Sequence, residues 1–168
     1  MNYETTEEVE TAIVGYLGFT RYVIVPNLYH GMFPYELDLC ALNKNMYASE
    51  VEIKISRADL KNDLNKNHKH DRNYNLIKNL WFAIPRKIFS SIEFIPERAG
   101  IFIVEQNGRV VVHRKPTSNR SAKRWNYEQA YTLARLGNMR HWNERRKRIE
   151  SDNKYYKMRD DYALLKKK

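Results

Sequence analysis

The stretch "YELDLCALNKNMYASEVEIKIS", residues 35–56, decides how this chain is read, because acids and one lysine are threaded singly through apolar runs. "YELDLCAL" and "YASEVEIKIS" each alternate as strands do, and the intervening "NKN" supplies turn residues for a hairpin. Alternate side chains of a strand share a face, so Glu50, Glu52 and Lys54 project to one side and Val51, Ile53 and Ile55 to the other. On the preceding strand Glu36, Asp38 and Cys40 alternate with Leu37, Leu39 and Ala41, and hairpin pairing can bring Asp38 beside Glu52. A carboxylate pair then lies next to an ammonium group.

Two carboxylates held together repel, and a divalent cation relieves that repulsion most directly. Hard oxygen ligands select Mg2+, with Mn2+ as its substitute, over softer metals. For phosphodiester hydrolysis such a metal polarises a phosphoryl oxygen and acidifies water, while a lysine positions the nucleophile and offsets developing charge. The plain alternative is a solvent-facing strand with a cross-strand Glu–Lys pair.

Outward from this stretch the element signals are ordered. In "TTEEVETAIVGYL" Thr5 and Glu8 are spaced as a capping box, and Val9, Ile13, Tyr16 and Leu17 form a helical stripe that ends near Gly18. "RYVIVPNLY" reads as a strand broken by Pro26. Ser56 and Asp59 start a helix through "SRADLKNDLNKNHKH", with Leu60 and Leu64 on a narrow apolar face. "NLWFAIP" is a short apolar strand of the kind buried on both faces, and Asn107-Gly108 sets a hairpin between "GIFIVEQ" and "RVVVHR". From about residue 121 the pattern is helical, interrupted at Gly137. This order predicts an α/β fold with a mixed sheet flanked by helices. A helix joining the third strand to the fourth allows those two to run parallel.

With 168 residues, 42% hydrophobic and 12% aromatic, the chain has material for one packed core. No apolar run approaches membrane-spanning length, and "MNYETTEEVE" is acidic where a secretion signal is basic, so a soluble cytoplasmic protein is expected. Cys40, the single cysteine, reads as a small buried hydrophobe. The net charge of +10 is uneven: residues 1–112 sum to −1, whereas residues 113–168 hold 17 Lys and Arg against 6 Asp and Glu, or +11. Such an excess favours polyanions, nucleic acid first among them, although a solvated helix kept soluble by charge has the same composition.

That basic region interleaves Arg120, Lys123, Arg124, Arg145, Arg146, Lys147 and Arg148 with aromatics. Basic side chains neutralise phosphates, and exposed aromatics can stack on unpaired bases. Trp125, Tyr131, Leu133 and Leu136 fit the core face of a helix docked on the sheet, which leaves the Arg145–Arg148 cluster for DNA. His68 and His70 form an H-x-H without companion ligands at zinc spacing, so surface exposure or a phosphate contact suits them better.

Asp38, thirteen intervening residues, then Glu52-Ile53-Lys54 resembles the D…(D/E)xK signature of the PD-(D/E)xK nuclease superfamily. "VEIKIS", "ADLKND", "LWFAIP" and "IPERAGIFIV" in sequence are similar to MmcB-like DNA repair proteins and related phage nucleases, over roughly residues 5–115. The resemblance implies a restriction-endonuclease-like core of helix, three strands, helix and strand. It implies Asp38, Glu52 and the Ile53 carbonyl as Mg2+ ligands, and Lys54 as the catalytic lysine. Family members often add a glutamate from the first helix; Glu10 fits that role first and Glu7 second, beside the plain reading of helix-start acids favoured by the dipole. The proline that often precedes the first acid is replaced by Leu37, with Pro34 four residues before Asp38. Asp59, Asp63 and Lys66 share a helical face and match a D-x-x-x-D spacing of the MmcB-like pattern. Residues 1–120 are expected to form this core and residues 121–168 a basic helical extension on or beside it.

The expected activity is metal-dependent hydrolysis of DNA in phage or bacterial repair, recombination or processing, with Lys69 joining the basic residues in DNA contact. RNA stays open beside DNA, as does association into a homodimer. Two other readings keep the fold without the chemistry: an inactive nucleic-acid-binding module, and a phage or bacterial protein that acts on another protein.

Overall fold

The computed structural model describes residues 5–29, 31–64 and 75–166. Lys69, with Lys66, His68 and His70, lies outside the described residues. Helix α1 spans Thr6–Leu17 and opens with the expected capping box: the Glu8 amide donates to Thr5 Oγ1 at 3.2 Å, and the Thr5 amide donates to Glu8 Oε2 at 3.1 Å. Six strands follow, β1 Tyr22–Leu28, β2 Leu37–Asn43, β3 Ala48–Ile53, β4 Ile77–Pro85, β5 Gly100–Val104 and β6 Val110–Arg114. Helix α2, Arg57–Leu64, joins β3 to β4, and a 3-10 segment, Arg86–Phe94, joins β4 to β5. Helix α3 runs from Tyr127 to Leu165.

The strands form a single mixed sheet in the order β1-β2-β3-β4-β5-β6. β1, β2 and β3 pair antiparallel, β3, β4 and β5 pair parallel, and β6 returns antiparallel to β5. The α/β class and the parallel β3–β4 pair are as expected.

Period-two alternation assigns each strand residue to one of two layers. On one face Val9 and Ile13 of α1 pack on Leu39, Val51, Ile53, Ala83, Phe102 and Val104. On the other, Leu60 of α2 and Ile88 cover Leu80, Phe82, Ile84 and Ile101, while Trp125 and Leu133 cover Val25, Cys40, Leu42 and Ile77. Close packing sets one glycine: a Cβ on Gly100 would stand 2.3 Å from Trp81 Cε3, because the Trp81 indole stacks on Phe102 with ring centroids 4.0 Å apart.

Three local expectations are corrected. β1 is not broken at Pro26. It is an edge strand that stays in register with Pro26 opposite Leu39, and an edge position tolerates the missing N–H. The distortion falls one residue later, where Asn27 takes φ 48°. Gly137 does not interrupt the last helix: α3 is continuous through it, and a Cβ there would meet Val25 Cγ2 at 3.0 Å, so the glycine permits close approach of helix to strand. That helix also begins at Tyr127, not near 121. Residues 117–125 form an extended strap, held by Thr117 N–H to Arg98 O at 2.8 Å, Asn119 N–H to Lys78 O at 2.8 Å and Trp125 N–H to Met46 O at 2.8 Å.

The first turns of α3 are docked, and residues 141–159 are not. Leu133 is buried, yet every residue from His141 to Arg159 is exposed. Trp125 is core as expected, its indole N–H donating to Leu76 O at 2.8 Å, whereas Tyr131 is 57% exposed and stacks on Tyr127 instead. Helix handedness turns it away from the Leu133 face. No helix among the described residues is long and apolar enough to cross a membrane.

Candidate active site

Antiparallel pairing of β2 with β3 brings the start of one strand to the end of the other. Leu39 pairs with Val51, so Asp38 and Glu52 are carried to the same edge of the hairpin. Lys54 follows at the carboxyl end of β3, its amide donating to Ala83 O of β4 at 3.1 Å. In sheets with parallel strands, crevices at the carboxyl ends are the usual ligand position.

The side chains converge on the Lys54 ammonium. Nζ stands 2.7 Å from Glu52 Oε2, 3.5 Å from Asp38 Oδ2 and 3.8 Å from Asp63 Oδ1. The Ile53 amide donates to the same Asp38 Oδ2 at 2.9 Å, which fixes that carboxylate against the strand end. Glu52 is fully buried and Asp63 nearly so, while Asp38 is 32% exposed and faces solvent. Burial alone would push the Lys54 ammonium below its ordinary value. The charges of Glu52 and Asp38, the Glu52 hydrogen bond and Asp63 outweigh that and hold it above. Lys54 is therefore a cation at any physiological pH.

A cavity of about 650 Å³ opens over this cluster, lined by Glu10, Asn27, Asp38, Lys54, Asp59 and Asp63 among others. Glu10 stands on its wall, and Glu7 does not line it. Desolvation, then the charges of Glu7 and Asp38, raise the Glu10 carboxyl above the ordinary value, while Arg140 opposes the shift. Asp59 is engaged at the start of α2, accepting Ser56 Oγ at 2.7 Å.

Sequence reasoning joined Asp38, Glu52 and Lys54 on period-two alternation, and the side chains meet. Asp63, marked in sequence only by its spacing from Asp59, lines the cavity and also stands on the lysine. Arg140 carried no role in sequence. It reaches from α3 to the carbonyls of Pro26 and Asn27, which seats the helix beside the cavity wall. Glu50 differs from its neighbours on β3. It is buried, accepts the Tyr35 hydroxyl at 3.2 Å and faces a separate cavity. Cys40 is buried as expected, its thiol pushed up by burial and then by the Glu50 charge, which suits an inert core residue.

The basic residues fall into two groups. Arg120, Lys123 and Arg124 are exposed on the strap, with the Arg124 guanidinium 5.7 Å from the Tyr47 ring centroid. Arg145, Arg146, Lys147 and Arg148 are exposed on the projecting part of α3.

The donor chemistry suits a hard cation: Asp38 and Glu52 offer carboxylate oxygens, and Ile53 lines the same cavity as Asp38. Among the described residues, however, no three His, Cys, Asp or Glu side chains form a ready cluster for a metal ion. The carboxylates are gathered around Lys54.

No family profile and no curated protein matches this chain. Among solved structures it is similar to a protein of unknown function from Silicibacter pomeroyi, at TM-score 0.62 and 14% identity over 91% of this chain and 96% of that one. At that identity the likeness concerns the fold alone.

Proposed function

We propose that the chain is a Mg2+-dependent nuclease that hydrolyses DNA phosphodiester bonds, built on a restriction-endonuclease-like core. The observation that carries the reading is the convergence of Asp38 and Glu52 on the Lys54 ammonium, at 3.5 and 2.7 Å, below an open cavity at the carboxyl end of β3. A core that only needed stability would gain little from a fully buried glutamate there, because buried ion pairs are weak stabilisers. The element order of helix, three strands, helix and strand supports the core, as does the resemblance of Asp38 and Glu52-Ile53-Lys54 to the superfamily signature.

Asp38, Glu52 and the Ile53 carbonyl would hold the metal, with Glu10 a further acid on the cavity wall. When bound, Mg2+ supplies Lewis-acid activation of the phosphoryl oxygen and of water. Lys54 stays protonated and steadies negative charge developing on the phosphate. Asp63 holds the ammonium from the side of α2. Arg140 seats α3 on β1, so the Arg145–Arg148 cluster starts five residues further along the helix, about 8 Å at 1.5 Å per residue. Those charges are in position to neutralise phosphates flanking the cleft.

A second reading, a nucleic-acid-binding module without catalysis, is favoured by the absence of a three-ligand cluster among the described residues. The deciding experiment incubates linear, circular, branched and single-stranded DNA with the protein and Mg2+, Mn2+ or EDTA, beside Glu52→Ala. Metal-dependent cleavage lost in the variant supports the nuclease. Salt-sensitive binding without cleavage supports the module.

A further inference from the structure

On β3, Glu50 shares its sheet face with Glu52, two residues away or about 7 Å along the strand. Its register partners are Cys40 and Leu80, so it sits in the gap between the two core clusters of that face. Above it lies a cavity of about 480 Å³, within the range of roughly 300–1,000 Å³ usual for small-molecule sites. Ile77 and Leu80 give it apolar walls, and the Tyr35 hydroxyl fixes the Glu50 carboxylate from one side. Arg98, Lys78 and Arg120 also line it. The polar lining is held in place: Ser118 Oγ donates to Asn79 Oδ1 at 2.7 Å, Asn119 Nδ2 donates to Ile77 O at 3.2 Å, and Ser121 N–H donates to Asn119 Oδ1 at 3.0 Å.

A cavity whose lining combines apolar Ile77 and Leu80, a carboxylate acceptor and three cations matches a ligand with one edge that donates hydrogen bonds and another end that is an anion. We propose that this cavity is a nucleotide subsite: Glu50 accepts from the pairing edge of a guanine base, and Arg98 and Arg120 take its phosphate. Guanine alone among the common bases presents a ring N–H and an amino group side by side, the pattern that suits one carboxylate. The inference rests on the nuclease reading for its substrate class, and it names the nucleotide next to the cleaved bond as the one held.

The test separates the two readings by measuring binding without cleavage. dGMP, dTMP and inorganic phosphate are titrated by calorimetry in EDTA into wild type, Glu50→Gln and Arg98→Ala, each checked by circular dichroism. The expected result is saturable dGMP binding, weakened about tenfold or more by Glu50→Gln, as loss of a charged hydrogen-bond acceptor implies, with dTMP weak throughout. Arg98→Ala weakens dGMP and phosphate together, and stands as the second variant if Glu50→Gln fails to fold. Equal binding of dGMP and dTMP, or no saturable binding by wild type, overturns the subsite whatever the cleavage assay gives. Cleavage that fails while dGMP still binds selectively overturns the nuclease and leaves the subsite standing.

Discussion

Two regions of this molecule carry concentrated charge, and they treat it in opposite ways. At the β2–β3 hairpin, Asp38, Glu52, Lys54 and Asp63 are within 4 Å of one ammonium nitrogen and mostly withdrawn from water. Along α3, Arg145 to Arg148 are four consecutive cations that stand in solvent, with exposed contacts such as Lys147 to Glu144 at 2.7 Å and Arg145 beside the Trp142 ring. Water screens the second set, so it supplies a field but no fixed geometry. In the first set burial makes each partner depend on the others. Chemistry that needs atoms held in place belongs to the hairpin, and long-range attraction belongs to the helix.

The contrast is tested hardest by Lys54→Ala. Removing the ammonium leaves Glu52 and Asp63 buried without their shared cation, which should cost about 3–5 kcal/mol in denaturant unfolding. Cleavage should vanish while DNA affinity stays close to wild type. Since the folded-state lysine value is raised, the stabilisation is fully present below the ordinary lysine pKa and is lost only as pH rises through the folded value. The loss on substitution should therefore be flat from about pH 6 to 9 on the lysine side. The pair Lys54→Met with Glu52→Gln should recover part of the stability and none of the activity. Undiminished cleavage by Lys54→Ala would remove the site assignment.

Gly137 is the joint between the two regions, and Gly137→Val is the next largest effect. A Cβ there would by itself stand 3.0 Å from Val25 Cγ2, so the further methyls of valine should pry the docked turns of α3 off β1 at about 1–3 kcal/mol. Thermal melts of Gly137→Ala and Gly137→Val would separate the gain in helix propensity from the clash. If both variants were as stable as wild type, the close approach would not matter to the fold.

How far these regions were legible in sequence follows from the same contrast. Strand alternation binds side chains rigidly to faces, so Asp38, Glu52 and Lys54 could be brought together from spacing, and Thr5 with Glu8 marked α1 to the residue. What escaped depends on tertiary context. Pro26 reads as a breaker until β1 is known to be an edge, and Gly137 reads as a stop until Val25 is known to lie against it. The strap over residues 117–125 has no period at all; its backbone bonds go to Lys78, Arg98 and Met46, far away in sequence. Glu50 was seen as one of three charges on a face. That Glu50 and Lys54 face separate cavities depends on Tyr35 and Arg98, which periodicity does not connect to β3.

Neutralising Arg145, Arg146, Lys147 and Arg148 to Gln should leave stability within about 0.5 kcal/mol, as for other exposed substitutions. Under the proposed function its effect should appear in DNA binding. If each side chain meets a phosphate, the slope of log K against log salt should flatten by about three to four. A slope unchanged in fluorescence titrations from low to moderate salt would mean that the helix cluster does not touch DNA, and would direct attention to Arg120, Lys123 and Arg124 on the strap.

The smallest expected effect is the most informative about architecture. A chain ending at His141 retains Trp125 and, on α3, Leu133, Gly137 and Arg140, hence the contacts that hold this region to the sheet among the described residues. What it loses is a helix whose described residues to Arg159 are all exposed and whose side-chain contacts are surface pairs worth tenths of a kcal/mol. Such a segment is helical because the docked turns have already met the nucleation cost, and it returns little to them. Chemical unfolding of the shortened chain should therefore match the full chain within about 0.5 kcal/mol, while the far-ultraviolet helical signal falls by the removed turns. A larger loss, or a change in sedimenting mass, would reveal a surface on which the helix packs. Trp142, Ile149 and Tyr156, spaced by seven and each more than half exposed, would then be its contact edge with a second copy of the chain.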